Sequence, residues 1–497
     1  MKKSQILSRV FLLSMGFAGM CLSGLNWHLT IAAWLTPLFI LRFTRSTKTI
    51  GFLLFFIVSV IAGMISRTCF ALVDLWIVHI INGLYFATMY SLPYLTDRLL
   101  YRKNRGFSST LIFPSAVVFF EYMVSIQTGT WGATAHTQFN LLPFIQLGSV
   151  TGFYGVSFIV SWFGAIVNRI IEEEYNLQII KKCAAIYAGV LLVTLFAGEL
   201  RITFFSPKSE TVKVAAITGN TDIFEIAANE FEALGSFTEN KSKDIPERVF
   251  AGSEQIKEQI KKTEKAANCG AKIIAWSEIS LILDTVQIDS LKAVISKIAT
   301  EYQSYILMAY LEQADKSSPK PFNNKSVLIT PSGQIAWEYA KSALHPQAEA
   351  PIINPGNFEI PFFDTEYGRL GNVICYDLDF PNFIRQAGKK KIDIMLVPSY
   401  DWEKITPLHA QMAAFEALQN GFSIVRPNGA GLSIAVDYQG NILSQLNTFK
   451  TSDKTMYANV PVKGTSTLYS KIGNGFVYLC ILNLIVNIIL IFTKRKK

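Results

Sequence analysis

The sequence predicts a polytopic α-helical membrane bundle of about eight spans together with a separate α/β layered domain. Three observations predict it. Half of the 497 residues are apolar, 36 of them Phe, and only 17% are charged. That composition excludes disordered, collagen-like and coiled-coil chains and argues against a purely soluble enzyme. Long apolar runs recur through the first two hundred residues. Between Ser206 and Gly464 the texture changes to short β-rich runs alternating with amphipathic helical stretches, the pattern of an α/β domain.

The apolar runs fall near 6–24, 26–42, 50–66, 71–93, 109–127, 149–168, 183–200 and 474–493. Each approaches the roughly 20 residues that cross a hydrocarbon core. Three regions follow: a membrane domain of about seven helices over 1–205, an α/β domain over 206–468, and a final membrane helix with a basic tail over 469–497. A cleaved leader is not expected, because Met20 stands before Cys21 where a small residue is wanted and further spans follow.

The net charge of +9 first invites a nucleic-acid partner, but its placement gives a topology instead. Residues 206–468 hold 26 Lys+Arg against 30 Asp+Glu, and the remainder holds 20 against 7. Starting with Lys2 and Lys3 inside, alternate connections carry Arg42, Arg45 and Lys48, then Arg98, Arg102, Lys103 and Arg105, then Arg169, Lys181 and Lys182; the chain closes on Lys494-Arg495-Lys496-Lys497. The intervening connections carry Arg67, and none between 128 and 148. Positive residues collect on the cytoplasmic side, so both termini are expected there, with 206–468 on the outer face.

Within 206–468, strands are expected at 212–217, 272–276, 304–311, 325–330, 369–376, 392–397, 422–426 and 432–437, and helices at 247–268, 286–302 and 406–419. Gly333 and Gly440 mark hairpin turns, and Asn428-Gly429-Ala430-Gly431 a tight strand connection.

Chemistry in α/β sheets gathers at the carboxyl ends of strands. Three reactive residues stand just after strand-like runs: Glu278 after Ile273-Ile274-Ala275-Trp276, Lys341 after Ala336-Trp337-Glu338-Tyr339-Ala340, and Cys375 after Leu370-Gly371-Asn372-Val373-Ile374. A cysteine nucleophile needs its thiolate, a carboxylate can take the thiol proton, and an ammonium can favour the thiolate and stabilise an oxyanion. By spacing alone a cysteine at the end of a buried strand is more often simply core, and Glu278 and Lys341 would be ordinary surface residues.

In this order the three segments resemble the Glu-Lys-Cys triad of the carbon-nitrogen hydrolase (nitrilase) superfamily, whose domain is an αββα sandwich. Set between multiple spans and a last helix, the chain is similar throughout to the apolipoprotein N-acyltransferase family; Glu121 and the segment Gly148-Ser149-Val150-Thr151-Gly152-Phe153-Tyr154-Gly155-Val156-Ser157-Phe158 look like family features. The resemblance implies Glu278 as general base in Trp276-Ser277-Glu278, Lys341 as oxyanion partner in Tyr339-Ala340-Lys341, and Cys375 as acyl-accepting nucleophile in Ile374-Cys375-Tyr376-Asp377, with Tyr376 and Asp377 supporting it. A second functional glutamate eight residues after the lysine falls on Glu349.

Three departures bear on substrate: Leu344-His345-Pro346-Gln347-Ala348-Glu349 replaces Leu-Val-Pro-Phe-Gly-Glu, Asp377 replaces a glutamate, and Pro398-Ser399-Tyr400-Asp401-Trp402 stands where Asn-Asp-x-Trp is common. The implied reaction takes an acyl chain from a phospholipid through a Cys375 thioester to the α-amino group of a diacylglyceryl apolipoprotein, in a bacterial inner membrane, without metal or organic cofactor. The alternative is a membrane-tethered amidase using the same triad with water as acceptor. Phe358, Phe362 and Phe363 favour a lipid substrate if they line the mouth, and are otherwise core. Transport predicts acidic residues within spans, and only Asp74, Glu121 and, at the very end of its run, Glu199 fall in the apolar runs. The five histidines show no metal-ligand spacing, and the six cysteines no C-x-x-C pair. His409 reads as structural or substrate-lining.

Overall fold

The computed structural model describes residues 2–70, 75–101, 106–173, 176–219 and 250–494. Asp74, Arg102, Lys103, Arg105, Arg495, Lys496, Lys497 and positions 247–249 of the expected first helix lie outside the described residues. The chain divides into two compact units, Met1–Ser206 with Ile472–Lys497, and Pro207–Lys471.

The first unit is helical: α1 (Lys2–Leu22), α2 (Thr30–Ser46), α3 (Thr49–Ser66), α4 (Trp76–Leu100), α5 (Ile112–Thr128), α6 (Phe153–Glu172), α7 (Leu177–Phe204) and a closing helix, Gly475–Lys494. These coincide with the eight apolar runs. Among the described residues, five of the eight are long and apolar enough to cross a membrane by length and composition: Gln5–Leu22, Thr49–Ser66, Phe107–Thr128, Phe153–Glu172 and Ile180–Phe204. Their packing is inverted relative to a soluble bundle. Large apolar side chains such as Phe11, Leu53, Ile57, Leu192, Phe196 and Leu482 point outward, and inside, buried polar groups such as Thr36, Ser59 and Asn168 stand among aromatic side chains such as Phe55, Phe113 and Phe153. Gly164 of α6 lets that helix approach the backbone of α2 at Pro37 and Leu38, where a Cβ would come within 2.7 Å of Leu38 N, and Asn168 Nδ2 donates to Leu38 O at 2.9 Å. The closing helix is tied to the start of α5 by Asn483 Nδ2, which donates to Ser115 Oγ at 3.0 Å.

Two side chains in this unit have partners that the sequence reading does not name. Arg45, taken as a topology marker, forms a buried two-pronged pair with Asp97: Nη2 to Oδ1 is 2.7 Å and Nε to Oδ2 is 2.8 Å. Asp97 was not counted among the intramembrane acids because the apolar run stops at 93. The helix continues to Leu100 and buries it. Glu121 accepts the Thr134 N–H at 2.8 Å, a structural bond to the loop after its own helix.

The second unit contains two sheets. The strands are β1 (Thr211–Ile217), β2 (Ile273–Trp276), β3 (Ile282–Leu283), β4 (Tyr305–Gln313), β5 (Phe322–Ile329), β6 (Ile335–Ala340), β7 (Phe362–Thr365), β8 (Gly368–Asn372), β9 (Ile394–Leu396), β10 (Ser423–Arg426), β11 (Leu432–Val436), β12 (Ile442–Asn447) and β13 (Thr455–Pro461). One sheet runs β13-β1-β2-β4-β5-β6 with β3 beside β4, and the other β12-β11-β10-β9-β8-β7. Side-chain alternation assigns their faces. Val212, Val214, Ile273 and Leu307 of the first sheet share one core with Leu370, Ile394, Leu396 and Val425 of the second. The alternate residues Ala215, Ile274, Trp276 and Ile306 pack with α8 (Ser253–Asn268) and α9 (Thr285–Tyr302). On the far side Val373, Met395 and Ile424 pack with α10 (Pro381–Lys390) and α11 (Leu408–Asn420). The result is helix, sheet, sheet, helix, as the family resemblance implied. Both faces of each sheet are covered, so the short central strands β2 (Ile273–Trp276) and β9 (Ile394–Leu396) are apolar throughout.

Gly333 and Gly440, with φ of 76° and 86°, make the β5–β6 and β11–β12 turns, and residues 428–431 join the antiparallel pair β10–β11. Phe363 borders the core between the sheets, whereas Phe358, edge-on to Phe383, and Phe362 are each half-exposed.

Candidate active site

The carboxyl ends of β2, β6 and β8 carry the three reactive residues. Glu278 follows β2 by two positions, Lys341 follows β6 directly, and Cys375 follows β8 by three and opens a short 3-10 turn, Cys375–Asp379. All three are buried, with 2%, 2% and 6% of their surface exposed. Cys375 has φ +46° and Ile279, beside Glu278, φ +49°. Left-handed backbone at non-glycine residues costs on the order of 1–3 kcal/mol and persists where surrounding structure enforces it.

Lys341 Nζ donates to Glu278 Oε1 at 2.8 Å and to Glu349 Oε1 at 2.6 Å. Asn324 Nδ2 donates to the same Glu278 oxygen at 2.7 Å, and Glu349 Oε2 accepts the His345 N–H at 2.8 Å. Two carboxylates hold the Lys341 ammonium well above its ordinary range against the desolvation that would discharge it. Burial pushes Glu278 up, opposed by Lys341 and reinforced by Glu349. Burial and the Glu278 charge likewise raise the Cys375 thiol, and Lys341 only partly offsets them. Lys341 does favour the thiolate, but burial and the Glu278 charge outweigh it, so the thiol proton must leave as Cys375 attacks.

Asp377 supports both arms. Its Oδ1 accepts the Ser342 and Ala343 N–H groups at 3.0 and 2.6 Å, and its Oδ2 accepts the Ile374 N–H at 3.0 Å and the Tyr339 hydroxyl at 2.6 Å. The turn after Lys341 and the turn at Cys375 are thereby tied together. Tyr376, next to the nucleophile, lies edge-on to Phe380 and 6.0 Å from the His345 ring. The structure thus brings Glu278, Lys341, Glu349, Cys375, Tyr376 and Asp377 into one region.

Sequence reasoning did not find Asn324. The available signal was a polar residue at an inward position of β5, whose burial alternates from Phe322 before the strand becomes wholly buried. Nor did it anticipate the buried group Asp379, Asp401, Arg426 and Asn428 around His409.

A two-sheet domain with a Glu-Lys-Cys site at its strand ends, in a chain whose other unit is apolar helices, defines a membrane protein of the carbon-nitrogen hydrolase class. The carbon-nitrogen hydrolase family pattern matches residues 233–468, and that of the apolipoprotein N-acyltransferase N-terminal domain matches residues 9–166. The chain belongs to the apolipoprotein N-acyltransferase family. It is 24% identical over 421 residues to an apolipoprotein N-acyltransferase of Geobacter metallireducens, covering 79% of this chain and 76% of that one. It is 27% identical over 402 residues to apolipoprotein N-acyltransferase 2 of Treponema denticola, covering 72% of each. Among solved structures, an amidase from Nesterenkonia sp. aligns with a TM-score of 0.42 at 15% identity, over 55% of this chain and 97% of that one.

Proposed function

We propose that this chain transfers an acyl group from a phospholipid to the α-amino group of a diacylglyceryl-cysteine at the N-terminus of apolipoproteins, through a thioester on Cys375. The convergence of Glu278, Lys341 and Cys375 carries the reading. Glu278 takes the thiol proton as Cys375 Sγ attacks the ester carbonyl. Lys341 and the Tyr376 backbone N–H stabilise the oxyanion. The lyso-phospholipid leaves with the proton from Glu278, and the acceptor amine then attacks the thioester, returning Cys375 to its thiol. Glu349 holds Lys341 in place. No step calls for a metal or an organic cofactor.

The acyl chains of both substrates explain the apolar helices, since exposing each CH₂ to water costs about 0.8 kcal/mol. The charge alternation supports cytoplasmic termini and an extracytoplasmic catalytic unit in a bacterial cytoplasmic membrane. Incubating the full chain with labelled phospholipid and a diacylated lipopeptide tests the reading. Expected are an acyl thioester on Cys375 by mass spectrometry and a triacylated product. Ammonia release from simple amides with no acyl transfer would establish the amidase alternative instead.

A further inference from the structure

The segment Pro398–Asp401, just after β9, touches both the nucleophile and the base. Pro398 O accepts the Cys375 N–H at 2.8 Å, Tyr400 O accepts from Cys375 Sγ at 3.8 Å, and Ser399 O accepts the Glu278 N–H at 3.3 Å. Its position is set from behind by Asp401. Arg426 Nη2 and Nη1 donate to Asp401 Oδ1 and Oδ2 at 2.8 and 3.0 Å, and Asn428 Nδ2 donates to Oδ2 at 2.6 Å. His409 Nδ1 lies 2.7 Å from Asp401 Oδ1, and its Nε2 lies 3.0 Å from Asp379 Oδ1. Asp379 closes the same 3-10 turn that Cys375 opens. Asp401, His409, Asp379, Arg426 and Asn428 are each at most 4% exposed.

Buried charge is tolerated only when paired, and here the pairing depends on one proton. With His409 as imidazolium the cluster holds two positive and two negative charges. With neutral His409 it carries a net negative charge. Arg426 Nη2 is also 2.9 Å from His409 Nδ1, a contact suited to a neutral ring. The two flanking carboxylates outweigh it, and they raise the His409 imidazole to about 9. Cys375, Asp401 and His409 offer donor atoms within 4.8 Å of one another, but Arg426 already neutralises Asp401, which argues against a cation there. Both Asp401 and Arg426 act on the Cys375 charge, with opposite signs.

We infer that Asp401, His409 and Arg426 are positioning residues for the nucleophile, and that His409, held as an imidazolium between Asp379 and Asp401, keeps this cluster electrically balanced beside Cys375. The other ionisable groups facing it are Glu278 and Lys341 at Cys375, and Glu416 two turns further along α11, which feels Asp379. The inference rests on Cys375 being the reactive thiol. Its test reads that thiol directly, so it succeeds or fails independently of whether the chain transfers acyl groups.

The test is the rate of Cys375 alkylation by iodoacetamide at pH 7 to 8, where His409 keeps its proton, in the full-length chain in detergent, followed by peptide mass spectrometry. His409→Gln leaves the cluster at net −1 and should slow alkylation by about tenfold or more, while Asp401→Asn leaves it at net +1 and should speed it. The double variant H409Q/D379N restores neutrality and should return the rate toward wild type. Loosening of the fold alone would slow alkylation or speed it without this dependence on sign. If Asp401→Asn fails to fold, H409Q and H409Q/D379N carry the same comparison. Rate changes of both single variants in one direction, no change in a folded His409→Gln protein, or no return in the double variant would each overturn the inference.

Discussion

Asp377 Oδ1 accepts the Ala343 backbone N–H at 2.6 Å, so the turn carrying the candidate nucleophile and the turn leaving the candidate oxyanion lysine form one hydrogen-bonded unit. Asp377 is fully buried and accepts four such bonds. Asp377→Ala strands three backbone N–H groups away from water, at a cost of about 3 kcal/mol or more. It should also let the Cys375 and Lys341 arms drift apart, lowering the rate of Cys375 acylation by on the order of 100-fold. Thermal unfolding together with single-turnover acylation measures both effects. A stable variant with unchanged acylation would refute this bracing role.

Glu416 on α11 is a buried acid pushed by burial from an ordinary 4.5 to about 8. Its carboxyl accepts from Gln419 Nε2 at 2.9 Å and from Asn420 Nδ2 at 3.0 Å, while Asn420 Oδ1 has no donor among the described residues. Turning the Asn420 amide over would let a protonated Glu416 donate to that oxygen. Between pH 4.5 and 8 the folded chain holds a proton that the unfolded chain has lost, so stability falls as pH rises through this window. Glu416→Gln removes the dependence. Relative to wild type it should be more stable at pH 8 by on the order of a few kcal/mol, and nearly equal at pH 4.5. Melting curves across that range provide the check; equal slopes for the two proteins would count against it.

The strand-end positions of Glu278, Lys341 and Cys375 were legible because each follows an apolar run whose end is sharp in the sequence. Their convergence was not, since it depends on β2, β6 and β8 belonging to two different sheets that share one core. The φ of +46° at Cys375 leaves no local mark, for a cysteine there reads like any other small buried residue. The outer strands were also hidden. β12 is only half-buried and mixes polar with apolar residues, and β13 pairs with β1 from the other end of the unit. His409 could be placed on its helix but not given partners, because Asp379, Asp401 and Arg426 come from three other segments.

Arg45 and Asp97 illustrate the same gap in the helical unit. Their pair is buried, and the Arg45 guanidinium lies 3.5 Å from the centre of the Tyr101 ring. Asp97→Ala leaves a buried cation without its main counter-charge and should destabilise the chain by about 3–5 kcal/mol. Replacing both partners with Met and Leu should recover most of that loss, because removing a buried pair together avoids the stranded charge. Melting temperatures of the full chain in detergent compare the three proteins. A double variant no better than the single one would mean that shape, not charge, sets the cost.

Glu349 and Glu278 share the Lys341 ammonium, and the Glu349 charge helps hold the Glu278 carboxyl above its ordinary range. A general base acts only when deprotonated, so acylation of Cys375 in wild type should fall as pH drops through that raised value. Glu349→Gln removes the neighbouring negative charge and leaves Lys341 to Glu278 alone. Both changes favour the Glu278 carboxylate, so the acid limb of the acylation profile should move to lower pH. The plateau should also fall, because Glu349 Oε2 holds the His345 N–H and with it the loop that follows Lys341. Single-turnover formation of acyl-Cys375 across pH separates the two effects. A limb that stays in place or moves to higher pH would show that Glu349 does not set the basicity of Glu278.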